Sequence, residues 1–371
     1  MKPPFFTQKP YAIPSMNRVR IVDLPGLDLP ESCKGKLAFH LLSTENLRSM
    51  VLANNDVLQL DVDAPDLLRA FDRCFTSASK LYGHKSPIRT TAEQIAREYG
   101  RFLAYLLLTL KRGDPINRAA RPDWRDIHWE FWAQIEQVYV GGGLLAGQLG
   151  AIAITAAAEM IHAAGFPDFN LKRSPFAAHL PLIGVARDAP AAAQTQLVFD
   201  FGQTNVKSAV AKYDAGVLTQ INILPSVPAP CTDLNLNKDP VLAQQTGDQM
   251  LDIVCKTWRQ GVGQFPLTHQ LSVSLACYLL DGHAIKDYDW GCYGRLQALT
   301  NHIQTMFTER VSARLNIPIQ VKLHHDGAAA AMVYAGEEKT AVLTFGTAIG
   351  NGYPAEGLEL RPLSEKLSIL N

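Results

Sequence analysis

Apolar residues recur every three to four positions over several long stretches and alternate, or run unbroken, over several short ones. That pattern predicts helices interleaved with strands. Residues 64–82 have helical periodicity. Ile95, Tyr99, Phe102, Leu106 and Leu110 fall on one face of a second helix. Thr90-Thr91-Ala92-Glu93 would open that helix as a capping box, and Gly113-Asp114-Pro115 would stop it. Pro122-Asp123-Trp124 begins another, running through Trp132, and an apolar strand over 137–140 then ends in Gly141-Gly142-Gly143. A long Ala-rich helix follows and ends near Gly165.

From Thr195 the texture changes to strand alternation, in Leu197-Val198-Phe199-Asp200-Phe201, then over 206–212, with a turn at Asp214-Ala215-Gly216. A helix over 248–260, a strand over 270–276, a helix over 293–315 and a strand over 319–323 continue the pattern. The segment 340–371 again reads as hairpin-like, around Gly346 to Gly352. Strands alternating with helices predict an α/β sheet with helices on its faces. Residues 1–63 are rich in Pro and Asp and predict only short strands, over 36–42 and 57–62.

Composition narrows the class. The chain has 371 residues, enough for two domains with real cores. Lys plus Arg is 35 and Asp plus Glu is 35, so no global field attracts nucleic acid or an anionic membrane. The most membrane-like stretch, 144–164, carries Gln148, Glu159 and His162 and reads as a buried helix. The N-terminus lacks an apolar run that could serve as a signal peptide. Cys33, Cys74, Cys231, Cys255, Cys277 and Cys292 are scattered with no C-x-x-C pair, which predicts ordinary buried thiols in a reducing cytoplasm rather than a zinc site or disulfide framework.

Two glycine-rich turns carry the chemistry, each fed by an apolar strand. The first is Asp200-Phe201-Gly202-Gln203-Thr204-Asn205-Val206-Lys207; the second is Thr344-Phe345-Gly346-Thr347-Ala348-Ile349-Gly350-Asn351-Gly352. Such turns can present consecutive N–H groups to a phosphate, and each can equally be a plain hairpin. Neither is a Walker A loop or a Rossmann fingerprint. Between them, Lys322-Leu323-His324-His325-Asp326-Gly327 reads as a strand that ends in a carboxylate and feeds an Ala-rich helix, where Asp326 is either a helix cap or a working acid–base group.

The order of these pieces resembles the ROK-type sugar kinases, within the actin and hexokinase superfamily of ATP-binding proteins. Their first phosphate motif, D-x-G-G-T-N-x-K, is matched by Asp200, Gly202, Thr204, Asn205 and Lys207, with Gln203 in place of a glycine. Their second, G-T-G-I-G-x-G, is matched by Gly346, Thr347, Ile349, Gly350 and Gly352, with Ala348 in place of a glycine. The catalytic aspartate of N-D-A-N-A-A-A stands here as His325-Asp326-Gly327-Ala328-Ala329-Ala330, without the asparagines. The family's G-G-G near the adenosine should follow the second turn. It is matched instead upstream, by Gly141-Gly142-Gly143, and Leu182-Ile183-Gly184-Val185-Ala186 resembles a helix that ends the family's chain. The resemblance therefore implies a circular permutation, with domain I over 191–335 and domain II built from 1–190 together with 336–371.

What the resemblance implies is two ribonuclease-H-like domains around a nucleotide cleft that takes ATP and Mg²⁺. Asp200 would orient the metal through water. Gly202, Gln203, Thr204, Asn205, Gly346, Thr347 and Gly350 would hold phosphates, and Gly141, Gly142 and Gly143 the adenosine. Lys207 would point either at the phosphates or at solvent. Asp326 would be the general base in phosphoryl transfer to a sugar or polyol. The family's zinc cluster and its E-x-G-H sugar motif have no counterpart, so substrate contacts are sought among His325, Asp281, His283, Asp287 and Arg295, with Tyr288, Trp290 and Tyr293 as aromatic candidates. The protein is expected to be cytoplasmic, free of nucleic acid and membrane, and a homodimer by default. The competing readings are a non-kinase ATPase or regulator of the same fold, and a hydrolase on that scaffold.

Overall fold

A computed structural model describes residues 2–7, 11–64, 66–81, 86–233, 238–285, 291–355 and 359–370. Two compact units emerge, one from residues 1–178 with 338–351 and the other from 179–337 with 352–371. Asp287, Tyr288 and Trp290 lie outside the described residues. The strands of the two larger sheets are β1 (Gln137–Gly141), β2 (Asn170–Arg173), β3 (Thr195–Phe201), β4 (Asn205–Asp214), β5 (Val217–Pro228), β6 (Gln270–Leu275), β7 (Gln320–His325), β8 (Thr340–Phe345), β9 (Ile349–Gly352) and β10 (Leu363–Leu370).

In the first unit the sheet order is β9-β8-β1-β2, with β8, β1 and β2 parallel. It is accompanied by helices α1 (Pro87–Arg112) and α2 (Gln148–Ala163), which pack on each other. The start of α1 differs from the expected capping box: Pro87 opens the helix and the Ser86 hydroxyl accepts from the Arg89 N–H at 3.2 Å. Proline prefers the first turn, where its missing N–H costs nothing, and it moves the start ahead of Thr90. Gly113, at φ +52°, closes α1 as expected.

The N-terminal segment departs most from its reading. Lys36–Leu37 is a strand, but Ala38–Leu42 is helical, followed by helices Thr44–Leu52 and Asn55–Leu58. Ala38, Leu41 and Leu42 are buried at i, i+3 and i+4, a helical spacing that the largely apolar stretch Leu37-Ala38-Phe39-His40-Leu41-Leu42 hides from a period-2 reading.

In the second unit the order is β7-β6-β3-β4-β5-β10. β3, β4 and β5 form an antiparallel meander, and β6 and β7 join β3 in parallel. Helices α3 (Leu180–Ala186), α4 (Pro240–Val262), α5 (Ile303–Leu315) and α6 (Asp326–Met332) cover this sheet. Leu197, Phe199 and Phe201 face a core shared with Met250, Val254 and Trp258 of α4 and with Phe307 and Val311 of α5. The helix expected over 293–315 is broken into a 3₁₀ turn, Cys292–Ala298, and α5. Helix α4 begins earlier than expected, at Pro240, because Asp239 caps it through the Val241 N–H at 2.7 Å.

Two differences concern connectivity. Strand β10 pairs in parallel with β5, so the last residues join the sheet that holds Asp200, whereas the sequence reading groups all of 336–371 with the N-terminal residues. Its alternating, half-exposed side chains suit a sheet edge, and nothing in them names the partner. The second is a correction to the cysteine reading: Cys231 and Cys292, 61 residues apart, are joined in a disulfide, with Cα atoms 5.9 Å apart. Spacing alone could not pair them, because the fold brings the end of β5 to the 3₁₀ turn. Cys33, Cys74, Cys255 and Cys277 are buried thiols, as expected.

Candidate functional site

In the first unit, the Gly141–Gly143 turn and the second glycine turn are neighbours. Strand pairing sets Thr344 opposite Gly141, and Gly142 at φ +96° lies so close to Phe345 that a Cβ on it would sit 2.2 Å from the Phe345 carbonyl oxygen. Only glycine fits there, on both conformational and steric grounds. The Gly142 N–H donates to the Ala177 carbonyl at 2.8 Å. By contrast, a Cβ on Gly143 or on Gly346 would meet nothing within 4 Å. Within the second turn, the Gly346 N–H donates to the Ala348 carbonyl at 3.2 Å, so this amide is already engaged. Thr347 and Ala348 complete the segment between β8 and β9, and Gly350 lies within β9.

In the second unit, Asp200 stands near the carboxyl end of β3, the end at which open α/β sheets bind ligands. Register places Lys207 of β4 opposite it on one side and Ser274 of β6 on the other. The Ser274 hydroxyl donates to Asp200 Oδ1 at 3.0 Å, and Lys207 Nζ lies 3.9 Å from Oδ2. Lys207 therefore lies beside the Asp200 carboxylate while its side chain remains partly exposed. Burial pushes the Asp200 carboxyl above its ordinary range. Lys207 pulls it down, the nearby Asp326 carboxylate pushes it up, and the Ser274 hydrogen bond pulls it down. Asp200 and Asp326 therefore share one electrostatic neighbourhood, although 126 positions separate Asp200 from Asp326 in the chain.

The first turn is built by β3 and β4. Gly202 N–H donates to the Asn205 carbonyl at 3.2 Å, and the Gly202 carbonyl accepts from the Tyr293 hydroxyl at 3.0 Å. The amide of Gly202 is thus used inside the turn rather than held open for a ligand. Thr204 receives the Ala229 N–H on its carbonyl at 3.0 Å, and the Gln203 side chain donates to the Asp233 carbonyl at 2.9 Å. Tyr293 is fully buried, edge-on to Phe201 at 6.1 Å, and supports this turn from behind instead of offering a ring for stacking.

Asp326 is the first residue of α6, and the cap of that helix is His325 rather than Asp326. Ala328 N–H donates to His325 Nδ1 at 3.3 Å, so Nε2 carries the proton, 2.9 Å from Asp326 Oδ1. The Gly327 N–H also donates to Oδ1, at 2.7 Å. His325 is stacked on Tyr278 at 4.1 Å. Both of its nitrogens are engaged in holding Asp326 and α6. Beside them, burial and then the Asp326 charge push the Cys277 thiol up to about 12, which keeps it protonated and inert.

The remaining expected substrate residues separate. Asp281 (φ +51°) and Gly282 (φ +77°) form the turn of the small hairpin Leu279–Leu280 with His283–Ala284, the left-handed pair that such two-residue turns require. His283 packs against His302 at 4.3 Å. Arg295 is 3% exposed, pairs with Asp233 at 2.8 Å, and lines a cavity of about 250 Å³ with Thr232, Gln245, Thr246 and Gln249. Its Nε has no hydrogen-bond partner among the described residues. Residues missed in the sequence are Ser274, Asn17, which bonds the second turn, and His179, whose imidazole is held low by burial and then by Lys207. Ser274 could have been flagged as a polar residue inside a strand that reads as buried throughout.

Asp200 makes stability depend on pH. Its folded-state pKa lies above the unfolded value, so the folded protein binds this proton more tightly. The contribution is complete below about pH 4 and is lost as pH rises through the raised folded value. In metal-free buffer, denaturant melts from about pH 4 to 8 should show wild type losing stability relative to Asp200→Asn, which keeps an oxygen for Ser274. A difference between the two proteins that does not vary with pH would contradict this.

No known protein-family profile matches the chain, and no curated protein matches it. Nine chains among solved structures do. One is an inorganic polyphosphate/ATP-glucomannokinase from Arthrobacter sp. strain KM, at 19% identity and TM-score 0.28, over 47% of this chain. The match covers 62% of that kinase, less than two thirds of its length. The chain itself is a mixed α/β protein, and among the described residues no helix is long and apolar enough to cross a membrane.

Proposed function

We propose that this chain is an ATP-dependent kinase that transfers the γ-phosphate to a hydroxyl of a sugar or similar small polar metabolite. The observation that carries the reading is that Asp200 and Asp326 stand near the carboxyl ends of parallel strands, beside a glycine turn and within electrostatic reach of one another. Asp326 would accept the proton of the attacking hydroxyl on Oδ2, while His325 and Gly327 hold Oδ1. The Gln203–Thr204 edge of the first turn and the Thr347–Gly350 segment of the second would hold phosphate oxygens, with Gly141–Gly143 beside the adenosine. The cavity at Arg295 carries hydroxyl and amide groups suited to a polar acceptor.

A divalent cation fits this donor set. Among the described residues no group of three His, Cys, Asp or Glu forms a metal cage. One or two carboxylates with water and phosphate oxygens is how Mg²⁺ is usually held, and Asp200 would hold it here. When bound, the ion would offset charge on the transferring phosphate.

We also read the chain as circularly permuted, with domain I over 191–335 and domain II drawing on both ends of the chain, 1–190 with 336–371, of which 179–190 and 352–371 fall in the compact unit that holds Asp200. Support comes from the pairing of Thr344 with Gly141 and from the bonds between Asn17 and Ile349, which tie both ends of the first unit's sequence together. The engagement of Asp326 Oδ1 by the Gly327 N–H also suits a second reading, an ATPase in which Asp326 only secures the first turn of α6. Thermal shift with Mg²⁺ and ATP tests both, since a ligand bound only by the folded state raises Tm. No shift at millimolar ATP would overturn both. ADP release that depends on one compound from a sugar and polyol panel supports the kinase; release without any acceptor supports the ATPase.

A further inference from the structure

We propose that Asn17 is a positioning residue for the second glycine turn, and that the N-terminal segment holds the backbone of Gly346–Ile349 in place for phosphate. This rests on the reading of that turn as a phosphate-binding element. Asn17 lies in a 3₁₀ turn, Met16–Arg18, and is 4% exposed. Its side-chain amide makes both bonds that a neighbouring strand would make to Ile349. Nδ2 donates to the Ile349 carbonyl at 2.8 Å, and Oδ1 accepts from the Ile349 N–H at 2.8 Å. Strand β9 is the edge of its sheet, so one side chain substitutes there for the missing strand.

The other end of the turn is tied to the same part of the chain. Thr44 N–H donates to the Gly346 carbonyl at 3.1 Å, from the first residue of helix Thr44–Leu52. Residues 13–15, just ahead of Asn17, are themselves braced by a buried cation. Arg121, 2% exposed, donates from Nη1 to the Ser15 carbonyl at 2.9 Å and from Nη2 to the Ile13 carbonyl at 2.8 Å. Its guanidinium stacks over Trp124 at 4.5 Å, and the Trp124 N–H donates to the same Ile13 carbonyl at 3.0 Å. A planar fork of donors fixes position as a flexible ammonium cannot.

The physical purpose is preorganisation. Amides that bind phosphate are effective when they are already aimed, so that no ordering cost falls on the bound state. With the Gly346 carbonyl and both Ile349 backbone groups held, the amides of Thr347 and Ala348 between them lose their freedom. Asparagine suits this role where aspartate does not, because aspartate has the same shape but no donor and would face the Ile349 carbonyl with a charge.

Two substitutions test the inference by separate routes. Asn17→Leu keeps the branched side-chain shape and removes both the Nδ2 donor and the Oδ1 acceptor that hold Ile349. Thr44→Pro removes the N–H that reaches Gly346, at a first-turn position that proline favours, with Ser43 already extended at ψ 160°. Each lost hydrogen bond should weaken ATP binding roughly tenfold. KM for ATP should rise while kcat and the acceptor KM change little, and hydrogen exchange at the Ile349 amide should accelerate. Folded variants with wild-type ATP affinity would overturn the inference and leave the kinase reading standing. Absence of ATP binding by the wild type would overturn the kinase reading. Exchange at Ile349 then decides alone whether Asn17 holds the turn, and unchanged exchange in both variants rejects it.

Discussion

Asp326→Asn is expected to slow phosphoryl transfer by about 10²–10⁴-fold, the usual cost of losing a general base. The substitution keeps the shape, and the amide oxygen can still accept from the Gly327 N–H and from His325 Nε2, so α6 should keep its first turn. ATP binding should survive within a few fold, because the first turn is built by Gly202, Asn205 and Tyr293 without Asp326. Loss therefore belongs in kcat rather than in the KM for ATP. Steady-state kinetics with ATP and the acceptor identified from the panel checks this. Unaltered turnover would remove Asp326 from the base role and leave it as part of a helix start.

The largest stability effect is expected at Gly184. A Cβ there would lie 1.6 Å from the Ala329 carbonyl oxygen, where α3 crosses α6. The obstacle is backbone, so no side-chain rotation relieves it. Overpacking of ordinary cores costs about 1–3 kcal/mol, and a clash of this depth with a helix backbone belongs at or above the top of that range. Gly184→Ala should lower the denaturant midpoint with an unchanged slope, and it should also impair turnover, since α6 carries Asp326. Gly263→Ala is the matched control. Gly263 caps α4 at φ −74° with nothing within 4 Å of its would-be Cβ, so alanine should be neutral or stabilise by about 0.4–1 kcal/mol. Equal midpoints for the two variants would refute the packing argument.

Gly184 also shows how a local motif acquires its reason. In the sequence it is one glycine in a short apolar helix; in the fold it is the point at which two helix backbones touch. Gly352 behaves likewise. It belongs to the second glycine motif, yet a Cβ on it would lie 1.9 Å from the Gly327 carbonyl oxygen, so its smallness serves packing against α6. Arg295 was legible as a polar residue near glycines, but its pairing with Asp233 in the lining of a cavity depends on the turn that the Cys231–Cys292 disulfide joins. Asp281 and His283 were drawn by the same composition and prove to be hairpin residues, because a D-G pair between short strands satisfies local turn geometry before any distant demand.

By itself the sequence determined the elements with local causes. The meander from Thr195 follows from alternation and turn residues, α1 ends where Gly113 can adopt positive φ, and Asp326 stands where a strand gives way to a helix. Tertiary structure decided what depends on contacts between distant segments. It brought Asp200 and Asp326 into one electrostatic neighbourhood, sent β10 to β5, joined two cysteines, and set the Asn17 amide on Ile349. The reason is one of range. Caps, turns and periodicity act over a few residues and are written in them, whereas an edge strand or a buried amide accepts any partner that arrives with the right geometry.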